Sequence, residues 1–97
     1  MADKKRAGAS APATVNGHQV AIDREMASTW DAFKYLRVLN DEDADGVSKM
    51  DAAMGYAALV SGLDEDGLVG IAGGGHAQIA DVMDVVAQII AAASPKN

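Results

Sequence analysis

The sequence predicts a mainly α-helical, small single domain in which three main helices follow a short N-terminal β-hairpin. Two observations favour helices: alanine occurs 20 times among 97 residues, and proline occurs only twice. Alanine has the highest helix propensity, whereas proline interrupts helices. The third observation is an Asn-Gly pair between β-branched residues, which is a strong signal for a two-residue hairpin turn.

The predicted domain spans residues 14–93, between a disordered tail at 1–13 and a short C-terminal tail at 94–97. Residues 1–13 are small and polar and contain no large apolar side chain after Met1. Such a composition does not support a packed core. Because aromatic residues make up only 4% of the chain, we expect a core of aliphatic side chains in one domain.

The predicted hairpin lies at residues 14–22, with Asn16 and Gly17 in its turn. Both turn positions must accept a positive φ, which Asn and Gly do most readily. Val20 and Ile22 alternate along the second arm, so they share one face. A hairpin this short needs a helix to pack against.

The first helix is predicted to begin at Asp23, an N-cap residue, and to end near residues 39–40. Helical spacing puts four apolar side chains at the centre of one side: Met26, Trp30, Phe33 and Leu36. We therefore expect Trp30 and Phe33 in the core. The alternative is that these aromatic side chains anchor an interface, because aromatic residues dominate binding hot spots.

Tyr35 and Val38 point away from that side and are candidate partner-binding residues. The second helix is predicted from about residues 45–47 to Ser61 and is apolar on nearly every side. Such a helix is either central in the fold or offers a surface to a partner. Tyr56 and Leu59 are therefore further candidates for partner binding. Gly62 is a plausible C-terminal stop.

Residues 63–75 fit either a short helix or an extended stretch, because glycines interrupt their apolar pattern. The last helix is predicted from about Ala77 to Ala93. Its apolar side chains follow helical spacing and form one stripe: Ile79, Val82, Met83, Val86, Ile89, Ile90 and Ala93.

The net charge of −6 argues against nucleic acid and anionic membrane surfaces as partners. The same negative charge disfavours the hypothesis that the chain is a DNA-binding helix-turn-helix regulator. No apolar run approaches the length of a membrane span, and no secretory signal is expected after Lys4, Lys5 and Arg6. The chain contains no cysteine, which excludes disulfides and thiolate metal sites.

An acidic segment resembles the first half of a calcium-binding EF-hand loop, with Asp41, Asp43 and Asp45 at alternate positions before Gly46. Three such carboxylates could face one hard cation. The twelfth loop position, however, is Ala52 instead of a bidentate glutamate. We therefore expect a solvated acidic loop that caps the second helix, and no metal site. A small acidic calcium-binding or regulatory interaction module remains the alternative function.

No constellation in the sequence predicts catalysis, so the chain is not expected to be an enzyme or to hold a cofactor. The glycines at 73–75 precede His76 and a helix but lack a phosphate-binding ending. Ser48 lacks the Asp-Ser-Leu context of acyl carrier proteins. His18 and His76 have no neighbours at triad spacing, and both are expected at the surface.

The order of these features resembles the tail assembly chaperones of long-tailed, siphovirus-type bacteriophages and prophages. The resemblance depends on two stretches and on the acidic loop and two helices that follow, and it covers about residues 14–93. The first stretch, Val15 to Asp23, is similar to the family's "v-n-G-x-x-x-x-I-D" hairpin. The second, Trp30 to Leu36, is similar to its "W-x-x-F-x-x-L" helix.

The resemblance implies a non-enzymatic assembly factor that binds the tape measure protein and helps to recruit the major tail protein. It implies location in the host bacterial cytoplasm and absence from the mature virion. The family has no catalytic residues to transfer. Homo-oligomerisation is compatible with the apolar second helix, which could be buried between copies.

Overall fold

The computed structural model describes residues 10–94, which form a two-stranded antiparallel hairpin and four helices. A short 3-10 turn at Met26–Ser28 precedes the first helix. The elements are β1 (Ser10–Val15), β2 (His18–Asp23), α1 (Trp30–Leu39), α2 (Gly46–Ser61), α3 (Glu65–Ala72) and α4 (Ile79–Ala93). The predicted mainly helical class with an N-terminal hairpin is confirmed, and α3 occupies the segment whose conformation the sequence left open.

The hairpin turns at Asn16 and Gly17, whose φ angles of 52° and 84° are both positive. Val15 pairs with His18, which makes the two-residue turn that the sequence predicts. The strand β1 begins at Ser10, so the expected tail at 1–13 is wrong for residues 10–13, which pair with residues 20–23. Pro12 is tolerated there because both strands of a two-stranded sheet are edges. Residues 1–9 and 95–97 of the expected tails lie outside the described part.

Hydrogen bonds connect the hairpin and the residue after it to the last two helices. The Asn16 side-chain amide donates to the Ile71 carbonyl at 2.8 Å, and its backbone N–H donates to Gln88 Oε1 at 3.3 Å. At the other end, Arg24 Nε donates to the Ala92 carbonyl at 3.1 Å. These contacts hold the apolar face of the hairpin against the helices.

Helix α1 begins at Trp30, later than the sequence predicts. Its N-cap is Thr29, whose Oγ1 accepts from the Ala32 N–H at 3.2 Å, in place of Asp23. Asp23 instead accepts from the Glu25 N–H at 3.1 Å, in the turn before the 3-10 segment. The chain is extended at Thr29 (φ −84°, ψ 165°), so the helical pattern of residues 23–28 does not continue into α1.

Side-chain caps define the next two helices. Asp45 Oδ1 accepts from the Ser48 N–H at 2.7 Å, and this bond lowers the pKa of the Asp45 carboxyl. Gly62 ends α2 in the left-handed conformation with φ 74°, as predicted. Asp64 then caps α3 by accepting from the Gly67 N–H at 2.9 Å.

The core is aliphatic apart from Tyr56 and lies between the hairpin and the four helices. No polar or charged residue is buried in the described part of the chain. The largest fully buried side chains are Val15, Ile22, Val60, Leu68, Val85, Val86 and Ile89. Val20 is buried on the same hairpin face as Ile22, which confirms the predicted alternation.

Candidate functional site

Two large aromatic side chains of α1 lie at the surface. Trp30 is 68% exposed and Phe33 is 45% exposed, so the expectation that they belong to the core is wrong. Their rings are 5.1 Å apart between centroids, with 34° between the planes. Burying such rings is among the most favourable contributions at interfaces, so this pair is the strongest candidate for a partner contact.

One basic side chain contacts the aromatic pair, and a second lies on the same helix. The Arg37 guanidinium lies over the Phe33 ring, with Cζ 5.5 Å from the ring centroid. Lys34 Nζ is 3.6 Å from Asp31 Oδ1 on the same exposed side. We call Trp30, Phe33 and Arg37 the aromatic face; their i, i+3, i+7 spacing places them on one side of the helix.

The opposite side of α1 packs against α2 through small residues. Ala32 is fully buried, and the Tyr35 ring lies directly against Gly55, where an added Cβ would overlap the ring. Leu36 and Leu39 also contact the core. This side covers the domain because Ala32 and the facing Gly55 allow α1 and α2 to approach closely, which leaves Trp30 and Phe33 outside.

The candidate partner-binding residues Tyr35 and Val38 are half-buried. Both line a shallow groove of 430 Å³ between α1 and α2, together with Lys34 and Asp51. They remain candidates, but they lie at the contact between α1 and α2 and not on the aromatic face. The surface that the sequence assigned to the core is thus separate from these two predicted residues.

The other two candidates occupy different environments. Tyr56 is only 4% exposed and belongs to the core, and burial raises the pKa of its hydroxyl. A surface role for Tyr56 is therefore wrong in the isolated chain, because α2 turns this residue inward. Leu59 is half-buried and lines a separate groove with Ala21 and Met26.

The predicted α4 stripe is less buried in its N-terminal half. Ile79 is 69% exposed and Val82 and Met83 are half-buried, whereas the same stripe is buried at Val86, Ile89 and Ala93. This half borders a groove of 280 Å³ between α2, α3 and α4. We call it the methionine groove; its larger apolar side chains are Met50, Met54, Val69, Ile79, Val82 and Met83.

The acidic loop uses its carboxylates for backbone contacts. Asp41 Oδ1 accepts from the Asp43 N–H at 2.9 Å, and Asp45 caps α2. Within residues 10–94, no group of three or more His, Cys, Asp or Glu side chains is placed to hold a metal ion. The structure thus does not assemble Asp41, Asp43 and Asp45 into a calcium site.

Both histidines are exposed, as predicted. His18 begins β2, whereas His76 lies in the glycine-rich connector before α4. In that connector Gly73 and Gly74 adopt positive φ angles of 131° and 93°, which explains the glycine run. In the described part of the chain, no helix is long and apolar enough to span a membrane.

Comparisons with protein-family models, with curated proteins and with solved structures found no match. The surfaces themselves therefore carry the functional inference.

The Ser28-Thr29 pair is the sequence signal that could have located the aromatic face. Thr is a preferred N-cap residue. A helix that starts after Thr29 no longer places Trp30 and Phe33 on the same side as Ile22 and Met26.

Proposed function

We propose that the chain is a non-enzymatic tail assembly chaperone that binds the tape measure protein through the aromatic face and helps to recruit the major tail protein. The observation that carries the proposal is the exposed Trp30–Phe33 pair. An exposed aromatic cluster on a small domain is typical of a protein-binding surface. It lies within the segment that resembles the "W-x-x-F-x-x-L" helix of that family.

The physical role we infer is to cover apolar stripes on long helices of the partner until the tail is built. An amphipathic helix can place its apolar residues against exposed aromatic rings. The net charge of −6 would help to keep the complex in solution through repulsion between copies. Action in the host cytoplasm, and absence from the finished particle, belong to the same proposal.

Co-expression with the tape measure protein of the same phage or prophage tests this proposal. We expect wild-type chain to co-purify with that protein, and the double variant Trp30→Ser/Phe33→Ser to reduce the co-purified amount at least about tenfold, equivalent to about 1.4 kcal/mol of binding free energy. Both side chains are exposed, so folding should change little.

Val47→Ser is the matched control, because Val47 is 69% exposed but lies on α2, outside the aromatic face. It should co-purify as the wild type does. Absence of co-purification with the wild-type chain, or equal loss with the control, would contradict the proposal.

A further inference from the structure

The methionine groove provides a second surface whose chemistry differs from that of the aromatic face. Three helices form its walls, and Met50, Met54 and Met83 are three of its seven apolar side chains. All three are half-buried, so each can change rotamer without first leaving a closed core. Gly75 and Ala77 also line the groove, and their small size leaves it open.

Methionine side chains are unbranched and polarisable, so a surface lined by them can repack around ligands of irregular shape. Apolar grooves between helices commonly accept the apolar side of another amphipathic helix. The exposed Ile79 lies at the end of this groove and extends it toward solvent. The lining therefore fits an apolar helical stripe better than a small polar molecule.

The charges of the walls select among such helices. Asp51 of α2 and Glu65 of α3 lie with Met54 in the pocket that adjoins the groove, whereas helical spacing puts Asp81 and Asp84 on the opposite side of α4. Glu65 itself lines the groove, and no lysine or arginine of the described chain does. Complementary charge at the rim of an interface favours the matching partner and repels the opposite one.

We propose that the methionine groove binds an amphipathic helix of another protein whose apolar stripe is flanked by lysine or arginine side chains. The apolar stripe contacts the methionines, Ile79 and Val82, and the flanking cations approach the carboxylates of Asp51 and Glu65. This binding mode goes beyond the tail-assembly role, and it depends on neither the aromatic face nor the identity of the tail proteins.

Two designed helical peptides with the same leucine stripe test the proposal, one flanked by lysines and the other by glutamates. We expect the lysine peptide to bind at least about tenfold more tightly at low salt. In methionine-methyl NMR spectra of the full chain, it should shift the signals of Met50, Met54 and Met83. The Met26 signal, from a different groove, should stay unchanged.

Matched variants localise the site. Ile79→Lys puts a positive charge beside the groove, and Val47→Lys puts the same charge elsewhere; both residues are 69% exposed and lie in the first turn of a helix. We expect Ile79→Lys to weaken binding of the lysine peptide at least about tenfold, and Val47→Lys to change that affinity by less than about threefold. Circular dichroism of each variant verifies that it is folded.

Several results would overturn the proposal: no binding of the lysine peptide, equal binding of both peptides, equal weakening by both variants, or a signal shift confined to Met26. Concentration-dependent self-association of the free chain that Ile79→Lys abolishes would show that a second copy occupies the groove, and would also overturn it. None of these results bears on co-purification through Trp30 and Phe33, so failure here and failure of the tail-assembly role are distinguishable.

Discussion

At the scale of single residues, Thr29 determines which side of α1 faces the core. Its hydroxyl accepts from the Ala32 N–H and also donates to the Met26 carbonyl at 2.7 Å. One side chain thus ends the 3-10 turn and starts the helix. The change of direction at Thr29 is why Trp30 is exposed although its sequence spacing from Ile22 and Met26 suggests otherwise.

Thr29→Ala removes both hydrogen bonds and is expected to reduce the free energy of unfolding by about 1 kcal/mol, the usual cost of losing an N-cap side chain. Urea unfolding followed by circular dichroism measures this loss. Ser28→Ala is the control, because Ser28 is an exposed neighbour and should change the free energy by less than about 0.5 kcal/mol. Equal effects of the two substitutions would show that Thr29 does not start the helix.

At the scale of elements, α1 and α2 approach closely because Gly55 accommodates the Tyr35 ring. An alanine Cβ at position 55 would overlap that ring, although alanine is the better helix former by about 1 kcal/mol. In the wild-type background we expect Gly55→Ala to destabilise the domain by about 1 kcal/mol, since the ring must move. In a Tyr35→Ala background the same change should stabilise it, by up to about 1 kcal/mol.

A double-mutant cycle in urea measures this coupling, which should exceed about 1 kcal/mol. Ala58→Gly, at a half-buried position of the same helix, supplies a reference for helix propensity away from the ring. If Gly55→Ala has the same effect in both backgrounds, the tight packing between Tyr35 and Gly55 does not position α1.

Sequence reasoning predicts those elements whose ends carry their own signals. Asn16-Gly17 specifies the hairpin turn, and Asp45 and Gly62 bound α2. The orientation of α1 was not predicted, because the helical pattern was extended from Asp23 through Thr29 and both sides of α1 carry apolar residues. Thr29 starts the helix, and Gly55 on α2 accommodates the side that carries Ala32 and Tyr35.

The methionine groove was missed for a related reason. The sequence predicts the apolar stripe of α4. Which part of that stripe is buried depends on the lengths of the neighbouring elements. Helix α3 has eight residues and is followed by a glycine-rich connector. These elements leave Ile79 exposed, and no local pattern in the sequence around Ile79 indicates that outcome.

At the scale of the whole molecule, the two apolar surfaces differ in the charges around them. The aromatic face contains Arg37, and the ion pair between Lys34 and Asp31 lies on the same helix. The methionine groove instead has the carboxylate of Glu65 in its lining and that of Asp51 in the adjoining pocket. Differences in local charge give different partner preferences even when both surfaces are apolar. A small domain with two such surfaces is suited to connecting polypeptides during assembly.

The central claim is that the aromatic face is bare in the free chain and covered when the tape measure protein binds. Trp30 is the single tryptophan of the sequence, so its fluorescence quenching by acrylamide reports on this surface directly when a tryptophan-free segment of the partner is used. We expect efficient quenching in the free chain at low concentration, and a decrease of at least about threefold after that segment is added to saturation. An indole that is already protected in the free chain, or quenching that the bound partner leaves unchanged, would contradict the claim.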